Sequence, residues 1–323
     1  MKNLFVMSPS ELIKQPLFVA FVLIVILLAV GEILSPGFTS LDQIIRLATV
    51  AALLGIVAAG QNLVILGGRE GIDLSVGAVV SLSVIVAGNL MDGMNINIPL
   101  AFVLTIVTGA FFGFLNGVGV TLLRIPPLVM TLGMLGVIQG LLVVIRQGVP
   151  SGVAAPALAD FVSEPFVFGL PGILWLWVGI GCFMAWLLRQ TLFGLRIYAI
   201  GSNEQAAVMA GVPVRTVRIA VYTLSGVFAA LAGICLLGYS GASFANVGSQ
   251  YMLTSIIAVV FGGTSLAGGK GEYTGTMLGA ILLVILQSIL TTVNIDEFGR
   301  QIIFGGTLLV LMVFYGRGKG LRA

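Results

Sequence analysis

Long apolar stretches dominate the chain, and polar residues are confined to short segments between them. A membrane-spanning helix needs about 20 mostly apolar residues, and ten stretches of roughly that length follow one another along the sequence. The pattern predicts an all-α polytopic membrane protein with about 10 transmembrane helices in one transmembrane domain, residues 1–323. The ten predicted spans are 16–34, 44–66, 73–91, 97–122, 126–146, 171–189, 217–239, 250–268, 274–293 and 300–316.

Three of these spans are less regular than the others. The third, eighth and ninth (73–91, 250–268 and 274–293) are rich in glycine and serine. Such segments are also found as broken or re-entrant helices in transporters. Eight complete spans plus buried segments is therefore an alternative to ten.

Composition narrows the class of protein. Of the 323 residues, 59% are hydrophobic and 8% are charged, whereas a soluble domain carries roughly 25% charged residues. These values exclude a cytosolic enzyme, a nucleic-acid-binding domain and a disordered protein. The absence of histidine excludes a histidine metal site or a histidine base. Cys182 and Cys235 lie in apolar runs and are interpreted as small core residues.

The basic residues indicate an orientation. If the N-terminus is cytoplasmic and the ten spans alternate, 12 of the 15 basic residues lie inside. Only Arg46, Arg146 and Arg300 lie outside. Basic residues are retained on the cytoplasmic side during insertion, so both termini are predicted to be cytoplasmic. Lys2 and Lys14 precede the first span, and no cleavage motif of a signal peptide follows them.

Two polar segments are long enough to carry structure of their own. Residues 147–170 are predicted to form an external loop, and residues 190–216 a cytoplasmic loop. In the second, Asn203 is a suitable N-cap for a helix over 204–210, with Gly211 and Pro213 ending it. A short helix with small alanines on one side suits a groove on another protein.

Glycine makes up 44 residues, and many recur at intervals of four. This spacing favours close contact between helices in membranes. It occurs at Gly109, Gly113 and Gly117, at Gly136 and Gly140, and at Gly275 and Gly279. The similar segments 71–77 and 269–275 also suggest an inverted repeat, in which corresponding Gly-interrupted segments flank the transport pathway.

No enzymatic motif is present. The segment 262–270 looks like a nucleotide-binding P-loop, but that motif needs glycine at 264 and serine or threonine at 271. The chain has Thr264 and Gly271 there, so we expect no ATP binding or hydrolysis by this chain. Asp73 lies beside Arg69 and Glu70, and is expected to be ionised at a cytoplasmic helix start.

The remaining embedded polar groups are neutral. They either bond to neighbouring helices, because unpaired polar groups in lipid cost several kcal/mol, or line a wet path for an uncharged, hydroxyl-rich solute. Almost no acidic residue is embedded in the spans, so the groups that a proton relay needs are lacking. An external energy source for transport is therefore the better interpretation. The candidate pathway residues are Gln61, Asn62, Asp73, Ser75, Asn116, Gln139, Thr254 and Ser255.

Several segments, in order along the chain, resemble one protein family. They are 71–77 (GIDLSVG), 125–134 (IPPLVMTLGM), 193–194 (FG), 198–207 (YAIGSNEQAA), 224–226 (LSG), 229–234 (AALAGI) and 262–269 (GGTSLAGG). On these segments the chain is similar to the permease subunits of ATP-binding-cassette (ABC) monosaccharide importers, the group that includes ribose and xylose permeases. One departure is Arg69-Glu70, which separates Gly67-Gly68 from the GID motif.

The resemblance implies a dimeric pore in the bacterial inner membrane, built from two copies or from two related permeases. Two cytoplasmic ATPase subunits would bind ATP and magnesium and drive the pore, and this chain would hold no cofactor. A periplasmic or surface-tethered binding protein would deliver the sugar. Residues 201–211 would form the helix that couples to the ATPase, with Gly201, Asn203, Glu204, Ala206, Ala207 and Gly211 as its main residues.

Two other interpretations remain open at this point. A stand-alone secondary transporter or facilitator for a neutral polar solute would share the composition. An export permease of the same superfamily would as well, because composition does not fix the direction of transport.

Overall fold

The described residues fold into a bundle that is 78% helical. The computed structural model describes residues 16–68, 71–146, 152–244 and 246–316. The helices are α1 (Pro16–Leu34), α2 (Leu41–Leu66), α3 (Val76–Met91), α4 (Ile98–Thr121), α5 (Pro127–Arg146), α6 (Pro156–Ser163), α7 (Gly172–Gln190), α8 (Leu192–Ser202), α9 (Glu204–Met209), α10 (Val214–Ser240), α11 (Tyr251–Phe261), α12 (Tyr273–Thr292) and α13 (Glu297–Gly316). A 3-10 turn covers Asn95–Asn97, and strands β1 (Pro165–Val167) and β2 (Leu170–Pro171) pair antiparallel.

The architecture confirms an all-α polytopic membrane protein. Each of the ten predicted spans contains a helix, and seven helices in the described ranges are long and apolar enough to cross a membrane. Large apolar side chains are exposed along α1, α4 and α5, as lipid-facing helices require. The count of ten and the placement of the termini stay predictions.

Contacts between loops define two ends of the bundle. At one end, which we call the α6 end, the Gly93 amide donates to Val153 O (3.1 Å) and the Ala154 amide to Gly241 O (2.9 Å). At the other, the α8–α9 end, the Gly269 amide donates to Leu66 O (3.1 Å). The segments 147–170 and 190–216, predicted on opposite sides, therefore belong to opposite ends as far as they are described.

Two helices are short and begin inside the bundle. α3 has 16 residues and α11 has 11. The described residues just before them, 71–75 and 246–250 respectively, are not helical. The segment 246–250 meets α3 where the Gly248 amide donates to Ser81 Oγ (2.9 Å). The glycines and serines that made the third and eighth spans irregular thus mark real interruptions, whereas α12 is a continuous helix of 20 residues.

The two segments expected to mark an inverted repeat run in the same direction. The segments 71–77 and 269–275 both lead from the α8–α9 end into helices that run towards the α6 end, so no inversion relates them. The antiparallel pair is α3 and α11, since α11 runs from the meeting point back towards the α8–α9 end. Whether these two helices belong to an inverted repeat stays a prediction.

α10 lies at the centre, packed against α2, α3 and α4. A Cβ atom placed on Gly117 of α4 would lie 2.7 Å from Ile219 Cα, and one on Gly113 would overlap Tyr222 O of α10. Gly275 and Gly279 likewise approach the α11 backbone, which confirms close contact at both glycine series. Gly136 and Gly140 differ, because no atom of another described residue lies within 4 Å of their Cβ positions.

The polar segments contain more structure than the sequence predicted. The described part of 147–170 forms α6 and the β hairpin, while 147–151 lie outside the described residues. Segment 190–216 forms α8 as well as α9, and α9 ends at Met209, one residue before its predicted end. Cys235 is buried as expected, but Cys182 is exposed on α7, so its interpretation as a core residue was wrong.

Candidate functional site

Asp73 is a buried carboxylate just before α3, with 2% of its surface exposed. Its Oδ1 accepts hydrogen bonds from the Ser75 amide (3.0 Å) and the Ser75 hydroxyl (2.6 Å). Its Oδ2 accepts one from the Ser225 hydroxyl of α10 (2.9 Å). The ion pairs among the described residues do not include it. Asp73 thus lies just before the start of α3, and it joins this part of the chain to α10 inside the bundle. Its ionised state and its cytoplasmic side stay predictions.

Two amides extend this cluster to α4 and α2. Asn116 Nδ2 donates to Ser75 Oγ (2.8 Å). Gln61, with its amide oriented to satisfy both groups, donates to Asp73 O (3.1 Å) and accepts from the Asp73 amide (3.3 Å). The cluster therefore fastens α2, α4 and α10 to the segment before α3. We call these five residues, Gln61, Asp73, Ser75, Asn116 and Ser225, the Asp73 cluster.

The next residue of α2, Asn62, is a second buried amide, and its partners lie after α11 and at the start of α12. Asn62 Nδ2 donates to Thr264 Oγ1 (3.0 Å) and Thr276 Oγ1 (2.9 Å). These bonds hold α2 against the loop after α11 and the first turn of α12. Adjacent residues of α2 thus anchor two different sets of helices.

The buried amides favour the packing interpretation of the neutral polar residues. Gln61, Asn62, Asp73, Ser75 and Asn116 are almost fully buried, and they line neither the cavity of about 860 Å³ nor that of about 570 Å³. Polar groups in a membrane need such partners. Their main visible role is to connect helices, while Asn62 Oδ1 and Asn116 Oδ1 still have no partner among the described residues.

The three other candidate pathway residues occupy different surroundings. Gln139 is exposed on α5, away from the Asp73 cluster. Ser255 is buried and bonds to Met252 O within α11 (3.2 Å). Thr254 is half-buried and lines a cavity of about 570 Å³ between α11, α12 and α13. The candidate pathway residues therefore do not form one site.

The cavity at Thr254, which we call the α11–α13 cavity, lies towards the α6 end and has a partly polar lining. The polar residues that line it are Asn246, Ser249, Gln250, Thr254, Gln287, Glu297 and Gln301. Thr254 was predicted from the sequence as a candidate pathway residue. The others lie on α12, on α13 and in the segment before α11, and no sequence signal sets them apart.

The helix predicted to couple to an ATPase is present as α9. The Asn203 side chain accepts from the Ala206 amide (3.1 Å), as an N-cap does. Gly211 follows the helix with a φ of 77°, a left-handed conformation that glycine adopts without steric cost. Gly201 lies in the preceding helix, α8, and is buried. The capping prediction is therefore confirmed.

α9 is attached to the bundle on one side and exposed on the other. Glu204 forms an ion pair with Arg218 of α10 (2.8 Å), and Ala207 is buried. Ala206 is exposed, and Met209 is 90% exposed. Of the two alanines expected to face a partner, only Ala206 can do so.

A larger cavity of about 860 Å³ opens beside α9. Arg124, Arg215, Arg218 and Glu204 all line it, so its charge is positive. Close by, the Tyr198 hydroxyl donates to Gly271 O (2.7 Å). Burial and the Glu272 carboxylate raise the pKa of Tyr198, so its hydroxyl remains a donor. Within the described ranges, no cluster of three or more His, Cys, Asp or Glu residues could hold a metal.

A bundle of apolar helices joined by buried uncharged amides, with one capped helix outside it, defines a multi-pass membrane transport protein. The family described as "Branched-chain amino acid transport system / permease component" matches residues 43–313. The chain belongs to this family of permease components, and it is a transport permease, not an enzyme.

Two relatives cover nearly the whole chain. The chain is similar to the autoinducer 2 import system permease protein LsrC of Escherichia coli O9:H4 (strain HS), at 36% identity over 92% of this chain and 86% of that protein. It is also similar to the ribose import permease protein RbsC of Escherichia coli (strain K12), at 33% identity over 91% of this chain and 92% of that protein. No solved structure matches the chain.

Proposed function

We propose that this chain is the membrane-spanning permease subunit of an ABC importer for a monosaccharide or a sugar-like solute. Its relatives by name import ribose or autoinducer 2. It would act in the bacterial inner membrane with ten spans, both termini cytoplasmic, and a second permease copy or a related permease beside it. Cytoplasmic ATPase subunits would bind ATP and magnesium, and a binding protein outside would deliver the solute.

The observation that carries this proposal is the attachment of α9. A partner that moves α9 would pull on α10 through Glu204 and Arg218. α10 packs without side chains between it and α4 at the glycine contacts, and it bonds to Asp73 through Ser225. A push on α9 is therefore transmitted to the central helices as a rigid-body movement, which is how two packings of a bundle exchange.

The chain's own contribution is conformational. Neither a Walker motif in the sequence nor a metal cluster in the described ranges offers an energy source. The outward-open and inward-open states must therefore be close in free energy, with the ATPase shifting their populations through α9.

The test is uptake of radiolabelled D-ribose, D-xylose and autoinducer 2 into proteoliposomes. Vesicles contain either this permease alone or the permease with its ATPase, its binding protein and ATP. We expect uptake of at least one of the three solutes in the complete system and none by the permease alone. Flux through the permease alone would instead establish a facilitator, and ATP-driven efflux would establish an exporter.

A further inference from the structure

The α11–α13 cavity has the size and depth of a small-molecule site. Its volume of about 570 Å³ lies within the range of roughly 300–1,000 Å³ that is usual for such sites. It extends from Gln301, near the start of α13, to Val50 and Leu54, in the middle third of α2. It therefore reaches from the region of the α6 end into the bundle.

Its polar groups have hydrogen-bonding capacity to spare. The side chains of Asn246, Ser249 and Gln287 form no hydrogen bond with any other described residue. An amide offers both donors and an acceptor, and a hydroxyl offers both as well. A ligand rich in hydroxyl groups can pair with all three, whereas a hydrocarbon chain would leave them unpaired.

Charge in the cavity is already balanced. Glu297 is its one acidic lining residue, and it forms an ion pair with Arg300 (2.8 Å) and accepts from Gln301 Nε2 (3.3 Å). Val50, Leu54 and Phe304 supply an apolar wall. Neutral polar groups beside an apolar surface suit a sugar ring. By contrast, the cavity beside α9 carries three arginines and suits an anion.

We propose that the α11–α13 cavity binds the transported solute as a neutral polyhydroxylated molecule, with the Gln287 amide as its central contact. This inference rests on the proposed function, because it assigns the place where that solute enters the permease. Gln250, Thr254 and Gln301 surround Gln287 and set which hydroxyl groups can be paired.

The first experiment changes the amides in the complete importer. Gln287→Leu and Gln301→Leu keep side-chain size but remove the hydrogen bonds. Using whichever of D-ribose, D-xylose or autoinducer 2 the unmodified importer transports, we expect KM to rise about five- to tenfold for Gln287→Leu, the effect of losing one or two hydrogen bonds. Gln190→Leu, the same change at the α8–α9 end, is the control and should leave KM unchanged.

The second experiment tests by thiol labelling whether the cavity is open to water and to the solute. In a chain carrying Cys182→Ala and Cys235→Ala, Thr254→Cys is labelled with a membrane-impermeant thiol reagent added on the side of the binding protein. We expect labelling, and we expect a saturating concentration of the transported sugar to slow it severalfold. Labelling blocked by a second permease copy, or accessible only to lipid-soluble reagents, would show that protein or lipid fills the cavity.

The outcomes separate this inference from the proposed function. ATP-driven uptake with an unchanged KM in Gln287→Leu, or with no protection of Thr254→Cys, would overturn the solute site while leaving the importer intact. Absence of uptake of all three solutes by the unmodified complete importer would contradict the proposed function itself.

Discussion

At the scale of single residues, Asp73 is the least ordinary group in the protein. A carboxylate buried among apolar helices is costly unless its oxygens are paired. Three donors pair it: the Ser75 amide, the Ser75 hydroxyl and the Ser225 hydroxyl. Because it lies at the junction of α3 and α10, its hydrogen bonds hold together the part of the bundle that α9 would move.

Removing this carboxylate should destabilise the whole bundle. We expect Asp73→Ala to lower the free energy of unfolding by about 1–3 kcal/mol for each buried donor left without an acceptor. Asp73→Asn, which keeps one oxygen, should cost less. Thermal unfolding of the purified permease in detergent measures both, with the exposed Asp160→Ala on α6 as the control. Equal midpoints for Asp73→Ala and Asp160→Ala would contradict a fastening role.

Gly113 tests the close contact between α4 and α10. A Cβ atom at this position would overlap the α10 backbone at Tyr222, so Gly113→Ala should cost about 1–3 kcal/mol through overpacking. Gly179→Ala on α7 is the matched control, since nothing lies within 4 Å of its Cβ position. Thermal midpoints in detergent compare the two. A midpoint for Gly113→Ala as high as that for Gly179→Ala would mean that the helices are farther apart.

At the scale of elements, sequence was a good guide wherever the signal was local. Apolar length located ten helices, and the Asn203 and Gly211 caps located α9, because capping depends on neighbouring residues only. The Asp73 cluster was not predictable, because its bonds join residues up to 152 positions apart. Of the polar residues that line the α11–α13 cavity, only Thr254 was predicted from the sequence, because they come from α11, α12, α13 and the segment before α11, and each alone is unremarkable.

α9 yields a prediction about assembly. Met209 is 90% exposed, and an exposed apolar side chain on a short outer helix is suited to a protein groove. Met209→Asp should abolish co-purification of the ATPase and ATP-driven uptake while the permease stays folded. Met209→Leu keeps the apolar contact and should bind normally. Retained ATPase binding by Met209→Asp would remove α9 from the interface.

The ion pair between α9 and α10 allows two steps to be tested separately: binding of the ATPase to α9, and transmission of its movement to α10. Arg218→Gln removes the charge that holds Glu204 but leaves the outer face of α9 intact. We expect the ATPase still to bind and hydrolyse ATP, while the number of solute molecules transported per ATP falls. Because a partly exposed pair contributes only about 0.2–1 kcal/mol to stability, the thermal midpoint should barely change. A normal transport ratio would show that force reaches α10 by another contact.

At the scale of the whole molecule, two interrupted helices organise the bundle. α3 and α11 start near each other in the interior and run in opposite directions, and the non-helical residues just before them, 71–75 and 246–250, come from different ends. Interrupted helices of this kind surround substrate sites in many transporters. Here, the α11–α13 cavity lies beside α11 and the arginine-lined cavity lies at the opposite end, so the two large cavities face opposite sides.

The orientation of the protein in the membrane tests the proposed coupling, because coupling through α9 requires the α8–α9 end to face the cytoplasm. In a chain with Cys182→Ala and Cys235→Ala, Gln205→Cys on α9 and Asp160→Cys on α6 are both exposed sites. An impermeant thiol reagent added outside spheroplasts should label only Asp160→Cys, and permeabilised cells should label both. The bias of basic residues predicts this orientation, and the attachment of α9 to α10 requires it mechanically. Labelling of Gln205→Cys from outside would mean that α9 and a cytoplasmic ATPase lie on opposite sides of the membrane. The α11–α13 cavity would then open towards the cytoplasm and could not receive solute from an external binding protein.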